Sequence, residues 1–191
     1  MLWPYVTPFL FTFAIVFSLY VAGILYARKY RKAVTVAFDG AAVALLVFIP
    51  CCMGVKAIID PFRFGIFEYP NYAAVTDYRV RTNLPDGATA ITVDQRMQGL
   101  TAKFTIEQKP LDDWFDRQWK KDGGTSRTQR GPVETATESD LFHYNDELSE
   151  LRWSIPPNAI VYRGPRQSNW RGFDVFWDAT SKTAYEFMYY W

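Results

Sequence analysis

Histidine and cysteine are nearly missing from this chain. Its 191 residues hold one histidine, His143, and two cysteines, Cys51 and Cys52. A single histidine excludes a multi-histidine metal site. Without a Cys-x-x-Cys-His run there is no covalently attached haem. Cys51 and Cys52 are adjacent, and neighbours on a helix point about 100° apart, which works against a bridge between them. They read as small apolar fillers, with lipid attachment or an intermolecular disulfide as the alternatives. No Gly-x-Ser-x-Gly elbow is present, and Gly123, Gly124 and Gly131 lack dinucleotide or Walker spacing. Asn-x-Ser/Thr is also absent, which is compatible with a bacterial origin.

Charge of one sign is lacking too, with 21 Lys and Arg against 20 Asp and Glu. Five of those cations and one of those acids precede Asp60, which leaves 16 against 19 from Asp60 onward. A mildly acidic C-terminal portion makes nucleic acid a poor partner.

What is abundant is apolar sequence at the start. Leu2 to Ala27 carries no charge, and Gly40 to Ile59 is broken only by Lys56. About 20 apolar residues span a hydrocarbon core of roughly 30 Å. Residues 1–59 therefore read as a two-helix transmembrane hairpin. Neither run holds a histidine, so neither offers the usual axial haem ligand. Arg28, Lys29, Arg31 and Lys32 lie between the runs and determine the expected topology. By the positive-inside rule the loop is cytoplasmic, with the N-terminus and the long C-terminal portion on the periplasmic side of a bacterial cytoplasmic membrane. A cleaved signal peptide places its cations before the apolar run; here they follow it, so a retained anchor is expected. Pro50 is expected to kink or weaken the second helix, and Lys56 to snorkel to water. Gly23 with Ala27, and Gly40 with Ala44, have small-xxx-small spacing. They are the candidate helix-packing residues, within the hairpin or against partner helices.

Residues 60–77 mix Phe62, Phe64, Phe67, Tyr69 and Tyr72 with Pro61, Gly65 and Pro70. They read as an interfacial linker. Residues 78–191 read as an extracytoplasmic α+β domain. A first strand is expected at Tyr78-Arg79-Val80-Arg81. Ile91 and Val93 alternate with Thr92 and Asp94. Beyond a turn at Gln98-Gly99, Leu100, Ala102, Phe104 and Ile106 alternate with polar residues, so the two segments form a hairpin. Pro110 opens a helix whose Leu111, Trp114, Phe115 and Trp119 make one apolar stripe. Residues 122–140 read as a loop, 140–150 as a short helix and 159–162 as a strand. Phe173, Val175 and Trp177 alternate with Asp174 and Asp178, and Tyr185, Phe187, Tyr189 and Trp191 share one face of a final strand. The expected fold is a membrane α-helical hairpin plus a small α+β domain with an antiparallel sheet and one main amphipathic helix.

Three segments carry a resemblance: Leu84-Pro85-Asp86-Gly87-Ala88-Thr89, Leu100-Thr101-Ala102-Lys103-Phe104 and Leu111-Asp112-Asp113-Trp114-Phe115, with the closing aromatic hairpin. In them the domain resembles small uncharacterised bacterial membrane-anchored envelope domains. The resemblance implies a structural plan and no activity.

Chemistry is sparse. His143 beside Asp140, Asp146 or Glu147 could act as acid or base. Asp112, Asp113 and Asp116 cluster, but at a helix start acids serve the dipole. Arg163, Arg166, Trp170 and Arg171 form a basic, aromatic patch and are the candidate partner-docking residues, since Arg and Trp are enriched at interface hot spots. The expectation is a non-enzymatic chain without cofactor: an accessory subunit of an inner-membrane complex, respiratory or photosynthetic, that meets the lipid bilayer and integral membrane partners. A membrane-anchored sensor or ligand-binding module is the alternative, favoured by a concave aromatic pocket with convergent polar groups. A tethered hydrolase using His143 stands third.

Overall fold

The computed structural model describes residues 3–27, 29, 33–169 and 171–190. It divides into two compact units, residues 1–63 and 64–191. Arg28, Arg31, Lys32, Trp170 and Trp191 lie outside the described residues; Lys29 is exposed in a turn.

The first unit is two helices, α1 (Trp3–Ala27) and α2 (Ala33–Ile59). Their 25 and 27 residues make each about 37–40 Å long at 1.5 Å per residue. Both are long and apolar enough to cross a membrane. They run antiparallel. Phe9 meets Phe48 edge to face at 5.2 Å, and the Tyr20 hydroxyl donates to the Ala37 carbonyl at 3.3 Å. Helix α2 continues through Pro50. Lys56 is paired with Asp60 one turn on and lies 5.8 Å from the Tyr5 ring, so its ammonium is held locally.

The second unit is a seven-stranded antiparallel sheet with helices on both faces. Its elements are β1 (Gly65–Asn71), α3 (Tyr78–Asn83), β2 (Thr89–Arg96), β3 (Gly99–Thr105), α4 (Gln108–Asp122), β4 (Glu134–Thr135), α5 (Glu138–Phe142), α6 (Asn145–Leu151), β5 (Ile160–Arg163), β6 (Gly172–Asp178) and β7 (Thr183–Tyr189). The spatial order is β1-β2-β3-β7-β6-β5-β4. Both hairpins expected from alternation, β2–β3 and β6–β7, form, and the closing strand pairs with β3 as well as β6.

Alternation sends two sets of side chains to opposite faces. The first face gathers Ile91, Val93, Leu100, Ala102, Phe104, Val175 and Met188 under α4, whose buried residues are Leu111, Trp114 and Phe115. Trp114 lies 5.1 Å from Phe173, and Phe115 meets Tyr162 at 5.3 Å. The second face gathers Val161, Phe176, Tyr185 and Phe187 under Tyr144, Leu148 and Ile155.

Two expectations are corrected. Residues 78–81 are helical, not extended. In a strand Tyr78 and Val80 would share a face, yet Tyr78 is 77% exposed and Val80 0%. Asp77 caps the turn, accepting from the Arg79 amide at 2.7 Å. Within 60–77, read as an interfacial linker, residues 65–71 form edge strand β1. Ile66, Glu68 and Pro70 are exposed while Phe67 and Tyr69 turn inward, the period of a half-buried strand.

Glu186 is the anomaly of the core. It sits in β7 between Ala102 and Val175, is 0% exposed, and neither carboxyl oxygen has a hydrogen-bond partner. Burial pushes its pKa well above the ordinary carboxylate value. In the unfolded chain the same carboxyl ionises near about pH 4.3, so stability falls as pH rises above that value until the folded group itself ionises. Thermal unfolding of the full chain in lipid nanodiscs should therefore show Glu186→Gln gaining on the parent as pH rises from 4 towards 8. A difference that stays constant over that range would show that Glu186 is not held protonated.

Candidate functional site

The Arg163–Arg166 turn is set by packing. Arg163 ends β5, and the Gly164 amide donates to the Phe173 carbonyl at 2.8 Å. A Cβ on Gly164 would come within 2.5 Å of the Phe173 ring, so only glycine lets the chain pass there. Pro165 then turns the chain, and both guanidinium groups reach the second sheet face.

On that face Asp174 stands opposite Arg163 in register. One carboxylate oxygen, Oδ2, accepts from the Tyr144 hydroxyl at 2.5 Å and from Arg166 Nη2 at 2.5 Å. Arg163 donates through Nη2 to Asp140 at 2.6 Å and through Nη1 to Glu134 at 3.4 Å. Asp140 belongs to a capping box with Thr137 at the start of α5, where the Thr137 amide and hydroxyl donate to its Oδ2 at 2.9 and 2.7 Å. Tyr144 precedes α6, and its ring stacks on Phe187 with centroids 4.1 Å apart.

These groups enclose a pocket of about 370 Å³. Asp140, Arg163, Arg166 and Asp174 supply its charges, Tyr144, Tyr189 and Phe176 its rings, and exposed His143 stands at the rim. Burial pushes the Tyr144 hydroxyl far above its ordinary pKa, and the Asp174 charge adds to this. Burial, then the charges of Glu147 and Asp174, pushes Tyr189 up to about 12. Burial alone would raise Asp140, but the Thr137 and Arg163 hydrogen bonds outweigh it and hold the carboxyl below its ordinary value. The ensemble is a set of mutually hydrogen-bonded donors and acceptors.

The structure thus brings together residues read separately from the sequence. His143 with Asp140, and Arg163 with Arg166, line one pocket. The two arginines are paired with carboxylates rather than forming a free basic patch. Arg171 lies apart, in a small crevice with Gln118, Asp122 and Gln167. Asp112, Asp113 and Asp116 do not converge: they engage Tyr162, Lys109 and Arg130 respectively. Among the described residues no group of His, Cys, Asp and Glu could hold a metal ion. Tyr144, Asp174 and Tyr189 are pocket residues that sequence reasoning missed.

In the first unit, Gly23, Ala27, Gly40 and Ala44 line a groove of about 540 Å³ between α1 and α2. Gly40 is packed, since a Cβ there would meet the Tyr20 ring at 3.2 Å, whereas Gly23 has nothing within 4 Å.

Tyr144→Phe tests the link between pocket and fold. It keeps the ring on Phe187 but removes the donor to a buried carboxylate, which should cost about 1–3 kcal/mol, read as a lower Tm in lipid nanodiscs. An unchanged Tm would mean that the hydroxyl–carboxylate bond contributes nothing. Comparison with known proteins finds no matching family model, no matching curated protein and no matching solved structure.

Proposed function

We propose that this chain is a membrane-anchored, non-enzymatic binding module. Helices α1 and α2 hold it in a bacterial cytoplasmic membrane, and the sheet domain presents the pocket beside Arg163, Arg166 and Asp174 on the periplasmic side. The observation that supports the reading is the convergence of two guanidinium groups, two carboxylates and aromatic rings around about 370 Å³. The pocket's size falls in the range of about 300–1,000 Å³ usual for small-ligand pockets, and its lining is more polar than apolar. The residues lining it include no serine, threonine or cysteine, which weighs against a nucleophilic hydrolase built on His143.

A second reading, an accessory subunit of a larger respiratory or photosynthetic membrane complex, draws on one observation. The groove along Gly23 and Ala27 is left unfilled by the hairpin, and small residues let helices approach closely in a bilayer.

One experiment tests the topology and a second separates the two readings. A reporter active only outside the cytoplasm should work when fused after Trp191 and fail when inserted after Arg31; the reverse pattern overturns the proposed topology. Purification in mild detergent with mass spectrometry should recover the chain without a stoichiometric protein partner. A constant partner retained through purification would favour the subunit reading instead.

A further inference from the structure

The charges of the pocket are already cancelled within the fold. Arg163 is held by Asp140 and Arg166 by Asp174. Glu134 takes another Arg163 N–H, and Glu147 adds a negative charge beside Tyr189. An anion entering here must displace a carboxylate from its guanidinium and also meets those further acids. A cation meets the two arginines. Neither sign gains what it would from an uncompensated site, because desolvating an ion is repaid only by a free partner.

Hydroxyl groups meet no such barrier. Each can donate and accept at once, and the pocket offers both functions side by side. Arg166 commits only Nη2 to Asp174, and Arg163 commits Nη1 and Nη2, so each guanidinium keeps N–H donors. Asp174 supplies the matching acceptor. It is only 6% exposed, and its Oδ1 has no hydrogen-bond partner although Oδ2 has two. Oδ1 is itself covered from solvent, and a buried acceptor without a partner costs stability until a donor reaches it. The half-buried Tyr189 ring offers an apolar surface beside these polar groups.

We infer, on the binding-module reading, that the pocket takes a neutral polyhydroxylated ligand, one or two sugar rings. The ring hydroxyls bridge the Arg163–Asp140 and Arg166–Asp174 pairs, one of them donating towards Asp174, while the C–H face of the ring covers Tyr189. A ligand held this way binds with little dependence on salt, because no net charge is transferred from water.

The test uses the full chain in lipid nanodiscs, since the headgroup of an alkyl glycoside detergent would compete for the site. Maltose, cellobiose and diacetylchitobiose are titrated by calorimetry alongside phosphate, citrate and spermidine. At least one disaccharide should bind, with affinity changing less than about twofold between about 50 and 500 mM salt. Arg166→Gln and Tyr189→Ala should each weaken it about tenfold or more, and Lys120→Gln on the exposed side of α4 should not. Circular dichroism confirms that each variant is folded, and His143→Ala at the rim, a milder change, should weaken binding without altering Tm. If phosphate or citrate binds instead, with steep salt dependence and loss in Arg166→Gln, or if spermidine binds with steep salt dependence and a gain in Arg166→Gln, the sugar inference falls and the binding-module reading stands. If no probe of any class binds the folded chain, both fall.

Discussion

Strand β6 has no exposed residue from Gly172 to Asp178, and the architecture of the domain follows from covering both its faces. A strand buried on two sides needs an apolar layer above and below it. The chain provides α4 for one face and the α5–α6 segment for the other. The two covers differ in kind. Helix α4 is fifteen residues long with one apolar stripe, and it covers its face with Leu111, Trp114 and Phe115. Helices α5 and α6 are five and seven residues long, too short to be stable alone. They are held by what they touch: Tyr144 on Phe187 and Phe176, Leu148 in the cluster, and a capping box at Thr137.

The polar pocket is a consequence of that second cover. Asp174 and Arg163 point to the same face as Phe176 and Val161, so a charged pair sits at the margin of an apolar layer. A buried carboxylate must find donors, and it finds them in Tyr144 from the cover and Arg166 from the turn after β5. Arg163 does the equivalent for Asp140 on α5. The same bonds that close the short helices over the sheet therefore line the cavity beneath them. Glu186 presents the opposite case on the other face, with no donor at hand and its pKa pushed up by burial. One strand next to β6 thus holds a carboxyl left unpaired, while β6 itself holds one kept paired.

Much of this was legible where a period ran long enough. The β2–β3 hairpin, the α4 stripe and the closing hairpin follow from alternation or 3.6-residue spacing, because one face of each is apolar. Residues 65–71 were harder to read. Pro61 and Pro70 suggested a linker, yet Phe67 and Tyr69 already carried the strand period. At 78–81 the Tyr-x-Val spacing mimicked a strand, and only the Asp77 cap favoured a turn of helix. The pocket was legible in fragments. Asp140 with His143, and Arg163 with Arg166, are close in sequence, whereas Tyr144, Asp174 and Tyr189 come from separate elements. Asp174 alternates with apolar residues and so resembles an outward-facing polar position. The signal against that reading lies in β7, where Tyr185, Phe187 and Tyr189 are apolar on the face that Asp174 shares. When the neighbouring strand is apolar on the face it shares with a polar residue, that residue is covered rather than solvated.

Because the pocket and the cover are built from the same bonds, occupancy and stability are linked. Anything that binds the closed arrangement and not the unfolded chain adds RT ln(1 + [L]/Kd) to stability. Short helices that depend on tertiary contacts, as α5 and α6 do, open more readily than strands buried between two apolar layers. A ligand between Arg163, Arg166 and Asp174 meets Tyr144 and Asp140, the two residues through which the short helices grip the sheet. A ligand bound at this place would tighten the cover through those two residues, without touching α4 or the first face. The asymmetry is physical: one face is covered by a single long helix with a continuous apolar stripe, the other by two short helices that depend on side-chain bonds to the sheet.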